Sequence, residues 1–132
     1  MKTATVKELK QELSDKSTKE LMEICLTLSK FKKENKELLT YLLYEKANEE
    51  TYIADIKEEV EDMFSALNYD RLYYLKKGIR KVLRTIKKYI RYSKQKETEI
   101  ELLLHFCQEM KAMPYNINTS KTIKGIFEKQ IE

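Results

Sequence analysis

His105 is the only histidine in the chain, so chemistry that needs an imidazole must use this residue. Glu101 and Glu109 lie four residues before and after it, which places the three side chains on one stripe of a helix. Such a stripe could supply three metal ligands, but helices that bind metals normally recruit further ligands from a neighbouring helix. We therefore interpret it as a solvated stripe of charges and predict neither a metal site nor a cofactor.

The two cysteines offer little support for nucleophilic catalysis. Cys107 is two residues from His105, and on a helix this spacing separates their side chains by about 200°. Cys25 is far away in sequence, and neither cysteine belongs to a C-x-x-C motif, so we expect both to be reduced thiols in the core. Phosphate-binding glycine loops and nucleophile motifs are also missing from the sequence. The sequence predicts a protein that is not an enzyme, with a cryptic metal or thiol enzyme as the least favoured alternative.

The sequence feature that most strongly indicates a binding partner is a block of positive charge at residues 71–96. It holds eleven Lys or Arg residues and no acid, whereas the rest of the chain is acidic and the whole chain has a net charge of +4. On a helical wheel, apolar residues from Leu72 to Ile90 form one face and the cations form the other. The predicted partner-binding residues on the charged face are Lys77, Arg80, Lys81, Arg84, Lys88, Arg91 and Tyr73.

Several partners fit a positive helix face of this kind. We expect a non-enzymatic interaction module that presents the face to an acidic protein. The alternative is sequence-independent binding of RNA or DNA, in which cations displace counterions from phosphates and tyrosines stack on bases. A third interpretation needs no partner, because residues 49–62 hold seven acids against one lysine and could neutralise part of the charge. The sequence does not predict whether the chain forms a homo-oligomer.

The composition indicates a cytoplasmic helical protein without a membrane partner. No apolar run approaches the ~20 residues that span a bilayer, and the apolar face of the basic helix is needed for the core. Only two glycines and one proline occur, which disfavours folds that are rich in tight turns.

Hydrophobic periodicity and capping signals divide the chain into seven helices. Thr5 with Glu8, and Ser17 with Glu20, fit capping boxes that begin the first two helices. Short connections predict consecutive antiparallel pairs, arranged either as an irregular bundle or as a small α-solenoid that resembles HEAT repeats in architecture, although no internal repeat is detectable. We expect one domain, 1–132, with residues 119–132 as a C-terminal docking helix. The predicted helices span about 6–14, 17–32, 34–46, 49–67, 70–93, 96–113 and 119–132.

Three further side-chain placements follow from the same patterns. The sixth helix should be the most enclosed, because apolar residues lie on two of its sides. The predicted inner face of the second helix consists of Leu21, Ile24, Cys25, Leu28 and Phe31. Tyr41, Tyr44 and Tyr52 cluster near one predicted turn, where they either form a recognition surface or cover the core.

Overall fold

A computed structural model describes residues 1–131, and this part of the chain contains helices but no strand. The all-α prediction and the number of α-helices are confirmed. The α-helices are α1 Val6–Ser14, α2 Thr18–Phe31, α3 Lys33–Thr40, α4 Glu49–Ser65, α5 Leu72–Ser93, α6 Lys96–Ala112 and α7 Lys121–Ile131.

The first two helices begin at the predicted capping boxes. The backbone N–H of Glu8 donates to Oγ1 of Thr5 at 3.2 Å, and that of Glu20 donates to Oγ of Ser17 at 3.2 Å. In return, the backbone N–H of Ser17 donates to the carboxylate of Glu20 at 3.1 Å. This backbone hydrogen bond and a second one from the Ser17 side chain lower the pKa of Glu20. Local sequence therefore determines where these helices start.

The third helix is shorter than predicted. α3 ends at Thr40 and is followed by a π-helical turn, Tyr41–Glu45, in place of a regular helix to residue 46. A π turn adds one residue to the hydrogen-bonded ring, and hydrophobic periodicity does not distinguish it from an α turn. The change alters which side chains share a face after Thr40.

The chain divides into two compact units, Met1–Leu43 and Tyr44–Glu132; in the second, Glu132 lies outside the described residues. In the first unit, α2 packs on α3, and the Asn35 side chain donates to the backbone carbonyl of Leu28 at 2.8 Å. Few side chains here are buried, with Ser29 and Tyr41 the only two among residues 1–43.

The predicted inner face of α2 is therefore wrong in part. Leu21 and Ile24 are partly buried, but Cys25, Leu28 and Phe31 are exposed. α1 has no buried residue, and α3, with eight residues, is too short to cover the fourteen residues of α2.

The second unit contains a packed core made by four helices. α4 contacts α5 and α6, α5 contacts α6, and α7 packs on α6. The Phe64 and Phe106 rings are buried, with their centroids 5.8 Å apart. The other side chains of this core that are at most 1% exposed include Val60, Leu75, Ile79, Val82, Ile86, Leu102, Met110 and Ile123.

The end of α6 and the start of α7 lie on either side of the segment that contains Pro114. α6 ends at Ala112, with Met113 in an extended conformation before Pro114, because a residue that precedes proline is disfavoured in the α region. After a short 3₁₀ turn, Ile117–Thr119, α7 begins two residues later than predicted and buries Ile123 and Phe127.

The enclosure predicted for α6 is incomplete on one side, where Cys107 is buried and Leu103 is half-buried. Leu102, Phe106 and Met110 are buried, but Ile100 is 64% exposed and Leu104 is 56% exposed. The neighbouring helices α4, α5 and α7 therefore leave part of this side of α6 uncovered.

Candidate interaction surface

The core orients the basic helix α5. Leu75, Ile79, Val82 and Ile86 recur at intervals of three and four residues and are at most 1% exposed, as the wheel predicts, whereas Leu72 is 42% exposed. At about 100° per residue, the predicted cations from Lys77 to Arg91 are centred on the side of the helix opposite this buried stripe. Burial of the apolar stripe therefore turns the cations away from the core.

We call the seven predicted residues the basic surface: Tyr73, Lys77, Arg80, Lys81, Arg84, Lys88 and Arg91. All are exposed except Lys88, which is half-buried. Lys77 and Arg91 are fourteen residues apart, so at about 1.5 Å per residue the cations extend over about 21 Å of helix. This length corresponds to nearly four helical turns.

Five cations of the basic surface have no carboxylate within 4.0 Å anywhere in residues 1–131. They are Lys77, Arg80, Lys81, Arg84 and Arg91. Lys88 differs, because it interacts with other groups of the protein. Its Nζ lies 4.8 Å from the centre of the Tyr89 ring. The acidic segment 49–62 therefore does not neutralise these five side chains by forming ion pairs with them.

The acidic helix α4 packs beside α5, and tyrosine hydroxyls form hydrogen bonds between the two helices. The Tyr89 hydroxyl donates to the Glu59 carboxylate at 3.2 Å, and the Tyr52 hydroxyl donates to the backbone carbonyl of Tyr89 at 2.7 Å. Asp55, Glu58 and Asp62 are exposed, and no cation of the described residues pairs with them. The second unit thus exposes separate acidic and basic surfaces.

Tyr73 gives the basic surface an aromatic edge. It is 69% exposed, and its ring packs edge-on against Tyr74 with centroids 5.2 Å apart. It also borders a depression of about 320 Å³ whose other lining residues are Lys76, Lys77, Arg80 and Arg84. An exposed ring next to several cations can stack on a planar group while the cations contact an anion.

His105 does not lie on a solvated stripe, contrary to the sequence-based interpretation. Only 11% of its side chain is exposed, and its Nε2 lies 3.6 Å from Oε1 of Glu61 on α4 and 3.8 Å from Oε1 of Glu109. Glu101 instead forms an ion pair with Lys57 at 2.9 Å. Sequence reasoning missed Glu61, because it is 44 residues from His105 and no local pattern joins them.

The cysteines occupy different environments. Cys107 is buried, as predicted, and burial raises the pKa of its thiol. Cys25 is exposed, so its predicted position in a core is wrong. The short helix α3 does not enclose it.

The three clustered tyrosines also differ from one another. Tyr41 and Tyr52 are buried, and Tyr44 is 76% exposed. The recognition-surface hypothesis is therefore wrong for Tyr41 and Tyr52, because both rings are buried.

No helix within residues 1–131 is both long enough and apolar enough to cross a membrane. The chain matches no known protein-family model, no characterised protein sequence and no solved structure.

Proposed function

We propose that this protein is a non-enzymatic, cytoplasmic interaction module that binds an acidic protein through the basic surface of α5. The observation that carries the proposal is the set of five exposed cations without a carboxylate neighbour in the described chain. A protein that concentrates eleven bases in 26 residues, while the rest of its sequence is acidic, favours an anionic partner at that position.

The geometry favours a partner that presents carboxylates along a rod or a ridge. Arginine guanidinium groups bind carboxylates through two parallel hydrogen bonds, and Arg80, Arg84 and Arg91 recur along the exposed side. An acidic helix about 21 Å long would match the cations from Lys77 to Arg91 turn by turn. Because such contacts are exposed, they govern association rate and partner choice, and they weaken as salt increases.

Nucleic acid is the second candidate, and Tyr73 is the observation that favours it. Its exposed ring borders the depression lined by Lys76, Lys77 and Arg80, so a base could stack there while phosphates contact the cations. The sequence contains no known nucleic-acid-binding motif, which limits this candidate to binding without sequence specificity.

Charge reversal tests the protein-binding proposal. We expect Lys77→Glu, Arg80→Glu and Arg84→Glu, combined in one variant, to abolish capture of the acidic partner from cell extract at physiological salt. These side chains are exposed and unpaired among residues 1–131, so the variant should keep the circular dichroism spectrum of the wild type.

A matched control variant distinguishes the effect of the basic surface from the effect of net charge. Lys7, Lys10 and Lys19 are exposed residues of α1 and α2, and changing all three to Glu alters the net charge by the same amount. This control variant should capture the same partner as the wild type. Equal capture by all three proteins would exclude the basic surface from the function.

A mobility-shift assay with generic RNA and DNA tests the second candidate. Retardation at low salt that is lost in Tyr73→Ala would favour nucleic acid over an acidic protein. If neither RNA nor DNA is retarded at low salt, the nucleic-acid candidate is excluded.

A further inference from the structure

Glu61, His105 and Glu109 bring three potential ligand atoms together between α4 and α6. Their two carboxylate oxygens and the imidazole nitrogen all lie within 4.8 Å of one another. Two of the three pairs are closer, with Nε2 of His105 at 3.6 Å from Glu61 and at 3.8 Å from Glu109. The cluster is separate from the basic surface, which lies on α5.

The imidazole nitrogen at the centre of this cluster lacks a hydrogen-bond partner. Nε2 of His105 is buried, and both neighbouring carboxylates lie beyond hydrogen-bond distance. A buried polar atom without a partner is costly, and two carboxylates that face each other at this range repel. A cation among the three atoms would satisfy the nitrogen and neutralise both negative charges.

We propose that Glu61, His105 and Glu109 bind a divalent transition-metal ion, with Zn²⁺ the best match. Imidazole nitrogen suits zinc and other transition metals, whereas Mg²⁺ and Ca²⁺ prefer sites made of oxygen alone. Two carboxylates balance the charge of one divalent ion. Glu61 lies on α4, so it adds a ligand from a neighbouring helix to the two ligands on α6.

The two distances from His105 fit such an ion with little movement. Ligand atoms about 2.1 Å from a tetrahedral ion lie about 3.4 Å from each other. The two distances from His105 exceed this separation by only a few tenths of an ångström. Glu61 is 55% exposed in its side chain, so it can adjust and leaves an entry path for the ion. Three protein ligands leave the fourth position of the ion to water.

Isothermal titration calorimetry with ZnCl₂ tests the proposal on the full chain after treatment with a chelator. The Cys25→Ser variant serves as the parent protein, because the exposed Cys25 thiol could bind zinc by itself. We expect one zinc ion per chain at micromolar zinc and no comparable binding of MgCl₂. Glu61→Gln and Glu109→Gln should each weaken zinc binding by about tenfold or more, since even outer-shell changes at metal sites have effects of this size.

Glu101→Gln is the matched control. It changes a carboxylate that is also four residues from His105 on α6 but that pairs with Lys57, so it should leave zinc affinity unchanged. We expect Glu61→Gln to stay folded, because that side chain is largely exposed, so this variant is the decisive one. The proposal is overturned if the parent protein binds no stoichiometric zinc, or if Glu61→Gln binds zinc as tightly as the parent does.

Discussion

A single carboxylate, Glu49, joins the first turn of α4 to the corner between α5 and α6. It accepts hydrogen bonds from the Ser93 hydroxyl and, at 2.5 Å, from the Thr98 hydroxyl. Thr98 is 1% exposed and Ser93 is 9% exposed, so both hydroxyls depend on this acceptor. We expect Glu49→Ala to lower the free energy of unfolding by about 1–3 kcal/mol, because it leaves buried polar groups without a partner. Urea denaturation measures the change.

Glu50 provides the matched control for Glu49. It is also in the first turn of α4 and also interacts with the helix dipole, but it is exposed. Glu50→Ala should change the free energy of unfolding by no more than about 0.5 kcal/mol. Similar losses in the two variants would show that the dipole, and not the hydrogen bonds to Ser93 and Thr98, accounts for the effect.

At the scale of one element, the residue that follows α5 has a strained conformation. Lys94 has φ 59° and ψ 11°, in the left-handed region that favours glycine. We expect Lys94→Gly to raise the free energy of unfolding by about 0.5–1 kcal/mol, since glycine removes the steric cost of this conformation. Lys87→Gly, at an exposed position inside the same helix, should have the opposite sign and cost about 1 kcal/mol. Destabilisation by both variants in thermal unfolding would contradict this explanation of the helix end.

An element can be predicted from the sequence when the residues that determine it are neighbours in the chain. The capping boxes at Thr5 and Ser17 and the two faces of α5 depend on neighbouring residues, so the sequence predicts them. The π turn after Thr40 and the environment of His105 do not, because the first has no distinctive periodicity and the second depends on a tertiary contact with Glu61.

The basic surface was predictable for the same reason as α5. Its apolar and charged residues alternate with a helical period, and burial of one set requires exposure of the other. Whether the carboxylates of α4 would neutralise the cations was not predictable, because that depends on which flanks of the two helices meet. Tyr89 occupies part of that contact and accounts for the pairing of Glu59.

For the whole molecule, burial predicts unequal protection of the two units. α5 and α6 contain many fully buried side chains, whereas residues 1–43 contain two buried side chains and expose Phe31, Leu28 and Leu43. We expect backbone amides of α2 and α3 to exchange hydrogen for deuterium much faster than those of α5 and α6, because few buried contacts oppose local opening. Mass spectrometry of peptic fragments measures the rates. Protection of α2 equal to that of α6 would contradict this division of stability.

The most direct test of the basic surface is zero-length carbodiimide cross-linking in cell extract, followed by mass spectrometry. The reagent joins a lysine amine to a carboxylate only when the two groups touch. We predict cross-links from Lys77, Lys81 or Lys88 to Asp or Glu residues of another protein, with their yield falling as salt is raised. Cross-links to other proteins that arise only from lysines outside α5, such as Lys7 or Lys10, would contradict the proposed function.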